Sequence, residues 1–325
     1  MPRRSTGSTG RCVIAEPVAL LALVGEAALG WPPALYARIG HPVGGVARVI
    51  GWLERTGNRP SRSDAARRLA GVGTIVVAVG LVAGLAGLAQ AGLIWALGRF
   101  AWIGVALLAV PGLAQRSLDD HVRPVAVALG RRDLPVARAA VGRIVGRDVA
   151  ALDEAGVTRA AIESLAESFC DGVAAPLFWL LLLGLPGLWG YKALNTADSL
   201  IGHKEPRWRA FGCASARLDD GANLLPARAA GLLLCVAGGG GWRVLRRDAR
   251  RHASPNAGWP EAAMAGALGV RLAGPVAYDG VTLAKPWIGE GGRDPSPADL
   301  RRALRLYRRA CLLLWVIAGG AAWAR

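Results

Sequence analysis

LAGVGTIVVAVGLVAGLAGLAQAGLIWALGRFAWIGVALLAVPGLAQ, residues 69–115, carries one charged side chain, Arg99. A hydrocarbon core about 30 Å thick is crossed by about 20 apolar residues of helix, so this run is long enough for two crossings. Gln90-Ala91-Gly92 supplies turn chemistry near its middle. The reading is a hairpin of two antiparallel spanning helices that returns the chain to the side it left. The flanks, 38–68 and 116–171, are rich in arginine, which by the positive-inside rule places both in the cytoplasm.

Composition agrees with a membrane protein. The 325 residues are 53% hydrophobic and only 19% charged, with mean hydropathy +0.34, too apolar for a soluble domain of this length. The 44 glycines against 6% aromatic residues suit helices whose backbones approach closely. The net charge of +16 gathers between the apolar runs, as expected for loops beside anionic lipid. A nucleic-acid partner is not expected, because no basic groove interleaved with aromatics, zinc pattern or helix-turn-helix spacing is present. Cys12, Cys170, Cys213, Cys235 and Cys311 form no CxxC pair and are odd in number, which argues for reduced thiols. Arg3, Arg4 and Arg11 before an apolar stretch imitate a signal peptide, but Glu16 and Glu26 interrupt it, and the segment reads as retained.

Other crossings are less regular. Residues 12–37 form a candidate first span, although Glu16 and Glu26 at membrane depth are costly unless they face protein. Residues 172–191 are uncharged but contain Pro176, Gly184, Pro186 and Gly187, the pattern of a broken or re-entrant helix. Re-entry would keep the polar stretch after it on the cytoplasmic side. Residues 223–242 are a weaker candidate, and 310–324 are short for a span without snorkelling ends. Residues 116–171 show helical periodicity with breaks near Pro124 and Pro135. Residues 242–309 read as loops and short helices ending in a basic helix at 298–309. No stretch reads as a strand, and there is no internal repeat. The expectation is an all-α polytopic integral membrane protein of the plasma membrane. It has four to six membrane helices and helical or loop cytoplasmic segments, in a single domain over 1–325 with residues 1–11 disordered.

Three segments concentrate chemistry. Glu163, Glu167 and Asp171 recur every four residues, which on a helix aligns three carboxylates along one face. That face is either solvated or relieved by a Mg2+ ion or an arginine. Tyr191-Lys192-Ala193-Leu194-Asn195-Thr196-Ala197-Asp198-Ser199 follows an apolar run. It is either a helix start capped by Asn195 or Thr196 or a phosphate and metal site, Lys192 meeting phosphate and Asp198 the metal. Ser215-Ala216-Arg217-Leu218-Asp219-Asp220-Gly221-Ala222-Asn223, then Pro226-Ala227-Arg228, sets adjacent aspartates between arginines at the entrance to an apolar helix. They serve either as a helix N-terminal cap or as holders of a divalent cation against a phosphorylated substrate. Ser254-Pro255-Asn256-Ala257-Gly258-Trp259-Pro260-Glu261 has turn chemistry and an acid opening the next helix. His41-Pro42-Val43 reads as a turn into a helix ending near Glu54. His121, His203 and His252 have no mutual ligand spacing.

Taken in order, these segments resemble the CobD/CbiB family. The resemblance rests on His41-Pro42-Val43 with Gly51-Trp52-Leu53-Glu54, then 163–178, 191–202, 211–228 and 254–272. It spans about residues 17–310. The chain departs from the usual family pattern at Glu26, where Asp is usual, at Gly30-Trp31-Pro32, where Gly-Asp-Pro is usual, and at Ser168 after Glu167, where Asn is usual. The resemblance implies adenosylcobinamide-phosphate synthase activity. That is an ATP-dependent condensation of adenosylcobyric acid with (R)-1-aminopropan-2-ol O-phosphate, with Mg2+ and ATP required and the corrinoid and aminopropanol phosphate as substrates. Asp198, Asp219 and Asp220 are then expected to hold Mg2+, and Lys192, Arg217 and Arg228 to meet phosphates. Asn195, Thr196, Ser199, Asn223 and Asn256 would contact substrate, while Glu163, Glu167 or Asp171 would take the amine or a second metal. A membrane complex with other enzymes of the pathway is an expected partner arrangement. Against this stand a Mg2+-dependent membrane prenyl or alcohol-phosphate transferase, whose paired aspartate motifs are absent, and a transporter, whose inverted halves are absent.

Overall fold

A computed structural model describes residues 17–278, 281–283 and 285–323. The N-terminal tail expectation, with Cys12 and Glu16, therefore lies outside the described residues, as does position 324. The architecture is helical, as the sequence implies, and the chain is a membrane protein. Helix α1 (Val18–Leu29) stops at Gly30, and α2 (Pro33–Ile39) and α3 (Pro42–Gly57) follow. His41 opens α3, its Nδ1 accepting the Val43 N–H at 3.2 Å, so the turn reading of His41-Pro42-Val43 holds.

Helix α4 (Asp64–Leu97) runs 34 residues, about 51 Å at 1.5 Å per residue. Ser63 caps its start by accepting from Ala66 N. The expected turn at Gln90-Ala91-Gly92 is not there. The chain turns instead at Gly98, which adopts φ 50°, before α5 (Ala101–Ala109). Gln90 is spent differently: its Oε1 accepts the Leu185 N–H at 2.8 Å on the neighbouring helix.

Helix α6 (Gln115–Gly130) passes through Pro124 without a break, correcting one of the two expected interruptions, whereas Pro135 does sit at the start of α7 (Leu134–Val141). The buried Glu26 of α1 explains how a carboxylate is tolerated here. It accepts the Arg116 N–H at 3.0 and 3.1 Å, capping α6, whose own N-cap residue Ala114 offers no side-chain acceptor.

Helix α8 (Glu154–Phe169), capped by Asp153 accepting from Gly156 N at 2.7 Å, is the axis of the fold. Ile162, Leu165 and Phe169 are fully buried, and the helix packs against α6, α7, α13 and α14. It leads through a π-helical turn, Cys170–Ala174, into α9 (Ala175–Ile201). Helix α9 is broken at Gly184, with φ 69° and ψ −152°, as its Gly and Pro content suggests. It packs along α4.

Helix α10 (Cys213–Ala222) meets α11 (Leu224–Gly238) at a 48° bend. Helices α12 (Trp242–Asp248) and α13 (Gly258–Leu268) and short strands β1 (Leu272–Ala273), β2 (Val276–Tyr278), β3 (Val281–Leu283) and β4 (Trp287–Ile288) precede α14 (Pro297–Trp323). The strands correct the expectation of none: β1 pairs with β4 and β2 with β3, antiparallel. They are too short to show an alternating pattern in sequence. The basic helix near 298–309 and the apolar tail after it are one helix, α14.

Two stretches among the described residues, Asp64–Gly130 and Glu154–Ile201, are long and apolar enough to cross a bilayer. Counting the bent pairs Val18–Leu29 with Ala34–Gly57, and Cys213–Ala222 with Leu224–Gly238, raises the number to four. That is the low end of the expected four to six. The apolar end of α14 does not join the count.

Candidate functional site

Helices α8, α9 and α10, the π turn and two connections converge on a cavity of about 310 Å³ lined by Glu167, Asp171, Asp198, Asp219 and Asp220, with Lys204, His252 and Asn256. Glu167 comes from α8, Asp171 from the π turn, Asp198 from the last turn of α9, and Asp219 and Asp220 from α10. The two aspartates lie at the C-terminal end of α10, so the reading of them as an N-terminal cap does not hold. Asn195 and Thr196 likewise sit inside α9 and cap nothing. Thr196 Oγ1 donates to the Lys192 carbonyl at 2.6 Å and Ser199 Oγ to the Asn195 carbonyl at 2.9 Å. These are ordinary hydroxyl bonds back onto the preceding helical turn.

Amides tie the carboxylates together. Asn195 Nδ2 points at Asp171 Oδ2 at 3.5 Å and Asp219 Oδ1 at 3.4 Å. The buried Asn223 donates to Asp219 Oδ2 at 3.0 Å and accepts from the Tyr191 hydroxyl at 2.9 Å. Asn256 donates to the Asp220 carbonyl at 2.8 Å, and its Oδ1 accepts from Arg228 at 2.8 Å. Arg228 also stacks on Trp259, 4.7 Å from the ring centroid. Arg228 therefore fixes the connection at 254–257 and the first turn of α13, and does not line the cavity. Lys192, largely enclosed, lies within coulombic range of Asp171 and Asp219. Arg217 is exposed and away from the cavity wall, so the structure does not bring it to the aspartates it adjoins in sequence.

A second cavity of about 290 Å³ shares Glu167 and His252 with the first and adds Arg147, Glu163, Ser164, Glu261, Ala273 and Lys285. Glu163 is held by Arg147 and by the Ala273 N–H at 2.7 Å. Ala273 adopts φ 57°, a conformation that costs an L-residue about 1–2 kcal/mol. The acid row Glu163, Glu167, Asp171 is thus divided: the first faces the second cavity, the last faces the first, and Glu167 faces both.

Glu261 lies 3.7 Å from His252 Nε2. Burial pushes the Glu261 carboxyl well above the usual carboxylate range, with Glu163 and Glu167 adding to the rise and Arg147 and Lys285 opposing it. Burial likewise lowers the His252 pKa. The His252 Nδ1 accepts the Ser254 N–H at 3.0 Å, which leaves the proton on Nε2, facing Glu261.

Arg147, Lys204, His252, Glu261 and Lys285 were not singled out as site residues by sequence. His252 stands two positions before the SPNAGWPE run and Glu261 at its end, and that adjacency was the available signal. Arg147 and the two lysines carried none. Among the described residues no three His, Cys, Asp or Glu side chains are grouped to hold a metal ion by themselves. The four described cysteines are free.

A family model described as CobD/Cbib protein matches residues 19–307. The chain belongs to the CobD/CbiB family. It is 51% identical over 300 residues to the "Cobalamin biosynthesis protein CobD" of Rhodobacter capsulatus, covering 90% of this chain and 93% of that protein. It is 46% identical over 305 residues to the protein so named from Sinorhizobium sp., covering 90% and 94%. With that of Rhizobium meliloti strain 1021 the identity is 44% over 310 residues, covering 91% and 94%. No solved structure matches the chain. Membership places this member of the family in cobalamin biosynthesis, as an enzyme of that pathway. The matched region contains every site residue named above.

Proposed function

We propose that this protein is a plasma-membrane, multi-pass carbon–nitrogen ligase, one domain over its whole length. It joins adenosylcobyric acid to (R)-1-aminopropan-2-ol O-phosphate at the expense of ATP and gives adenosylcobinamide phosphate, with the site opening to the cytoplasm. The observation that carries this reading is the gathering of five carboxylates from α8, the π turn, α9 and α10, with Lys204 and His252, around one cavity. Carboxylates so crowded repel one another, and a hard cation bridging them to phosphate oxygens relieves the repulsion.

The donor set fits Mg2+. All five side chains offer oxygen, and Mg2+ takes one or two carboxylates, substrate phosphates and water in preference to an all-protein cage. One or two of Asp198, Asp219 and Asp220 would hold it together with substrate phosphates and water, where it would neutralise charge on the ATP phosphates. Asn195 and Asn223 orient Asp219, and Asn256 orients Asp220. Lys192 balances Asp171 and Asp219 from beneath. Lys204 takes the phosphate role that sequence assigned to Arg217. Thr196 and Ser199, bonded to their own helix, are assigned no substrate contact.

The corrin carboxylate oxygen attacks the γ-phosphorus of ATP, and ADP leaves. The amine nitrogen then attacks the acyl carbon, phosphate leaves, and the nitrogen gives up a proton. Glu167, open to both cavities, is the group placed to take it. Enclosure by the surrounding helices keeps water from the acyl phosphate.

The test is product formation by the purified protein in lipid, given adenosylcobyric acid, aminopropanol phosphate, ATP and Mg2+. Product from wild type and its loss in Asp219→Asn, with unchanged thermal unfolding, is the expected result. Absence of product from folded wild type, with aminopropanol phosphate or ethanolamine phosphate, would refute the reading.

A further inference from the structure

The second cavity is unlike the first in the sign of its walls. The first is dominated by carboxylates. The second sets two cations, Arg147 and Lys285, with three acids, Glu163, Glu167 and Glu261, and shares His252 and Glu167 with its neighbour. At about 290 Å³ it sits at the lower bound of small-molecule sites. A cavity walled by both signs is complementary to a small molecule carrying both. Arg147 and Lys285 present donors to an anionic end, and Glu261 and Glu167 present acceptors to an ammonium end.

We infer that the second cavity is the binding site of the phosphorylated amine, with its phosphate toward Arg147 and Lys285 and its ammonium toward Glu261 and Glu167. This assignment rests on the ligation proposed above and adds which residues select the amine substrate. Arg147 is the planar donor suited to a phosphomonoester. Glu163 is held by Arg147 and by the Ala273 N–H, so it keeps the guanidinium in place and is the acid least free to meet the ammonium. Glu261, 4% exposed, opens to the cavity with His252 beside it. Glu167 lies in the shared wall, so an amine bound in the second cavity presents its nitrogen to the acyl group formed in the first. A water-filled channel between substrates is not needed, because one side chain touches both chambers.

The experiment is calorimetric binding to the full-length protein in lipid nanodiscs, with and without Mg2+ and a non-hydrolysable ATP analogue. The probes are aminopropanol phosphate, aminopropanol and propyl phosphate. Loss of one charge-assisted contact weakens binding about tenfold or more. Lys285→Gln should weaken aminopropanol phosphate and propyl phosphate by about that factor and leave aminopropanol unchanged, while Lys285→Arg restores binding. Glu261→Gln should weaken aminopropanol phosphate and aminopropanol and leave propyl phosphate unchanged. In turnover, both should raise KM for the amine phosphate and leave KM for ATP within about twofold.

If folded wild type fails to bind the amine phosphate under either condition, the assignment is overturned. It is also overturned if the variants shift KM for ATP, or if both leave the affinity for the amine phosphate unchanged. Selective binding without ligation would leave the site standing and sink the proposed reaction. Ligation with a KM for the amine indifferent to both residues would do the reverse.

Discussion

Removing the Gln90 side chain tests how the broken helix is held. Gly184 leaves helical geometry at φ 69°, and the Leu185 N–H is taken up by Gln90 Oε1 at 2.8 Å. Leu185 is buried, and inside a membrane protein water is not at hand to replace that acceptor. Leaving a buried donor unsatisfied costs about 1–3 kcal/mol, while side-chain bonds between membrane helices average nearer 0.6 with a maximum near 1.7. The expected loss for Gln90→Ala is therefore about 1–2 kcal/mol. Gly184→Ala is worse on two counts. Its backbone conformation, essentially restricted to glycine, costs an L-residue about 1–3 kcal/mol, and its Cβ would stand 2.6 Å from Gln90 Oε1. In the double variant that clash disappears, while the backbone cost and the unsatisfied Leu185 N–H remain. The loss in the double variant should then fall short of the sum of the single losses by about 0.5 kcal/mol or more, the range for contacting residues. Reversible unfolding in mixed micelles, followed by tryptophan fluorescence, gives all three values. Strict additivity, or a Gln90→Ala protein as stable as wild type, would refute the claim that Gln90 supports the break. Because Lys192, Asn195 and Asp198 follow the break on the same helix, the single variants should also lose activity.

Three further outcomes follow. Glu26→Ala, which uncaps α6, should cost about 1–2 kcal/mol in the same unfolding assay, and Glu26→Gln, which keeps an acceptor oxygen, should lose less; equal losses would remove the cap from the explanation. Hydrogen bonding and charge from Arg271 hold Asp294 below its ordinary 3.8, at about 2, with Arg159 contributing. A carboxyl depressed on folding adds stability above pH 3.8 that fades as pH falls toward 2, so Asp294→Asn should flatten the acid side of a pH–melting curve, and an unchanged curve would count against the pairing. Arg228→Ala, which frees Asn256 and the loop beneath Asp220, should lower activity about tenfold with intact folding, and full activity would remove it as a positioning residue.

The membrane class, the near-absence of sheet and the acid-bearing segments were legible because each is a local pattern. Apolar length, four-residue spacing and a run of polar groups after an apolar helix need no knowledge of what packs where. What failed was the assignment of isolated polar residues to local duties. Gln90 looks like turn chemistry until its partner 95 positions away is known. Asn195 and Thr196 look like caps because their neighbours are polar, yet the helix does not start there. Arg217 adjoins the aspartates in sequence but is exposed and absent from the cavity wall that Asp219 and Asp220 line. Pro124 was read as a break, although a proline in the middle of α6 is accommodated. The second cavity was invisible because Arg147, Glu163, Glu261 and Lys285 come from four separate segments, and only packing brings them together.

The π turn at Cys170–Ala174 bears on how the gene can vary. A π turn accommodates one residue more than the regular helix would, and such a surplus is what a single-codon insertion leaves behind. Excising one codon there would restore an unbroken α-helix with sound local geometry. It would also rotate everything downstream by about 100° and draw it back about 1.5 Å relative to α8. Lys192, Asn195 and Asp198 would then swing off the side on which Glu167 waits. Family members are therefore expected to keep the number of residues between Glu167 and Asp198 constant even where the identities drift, while length differences collect in connections such as the one at Gly239–Gly241. A sequence that broke that count without a compensating change nearby would have dismantled the site without altering one of its side chains.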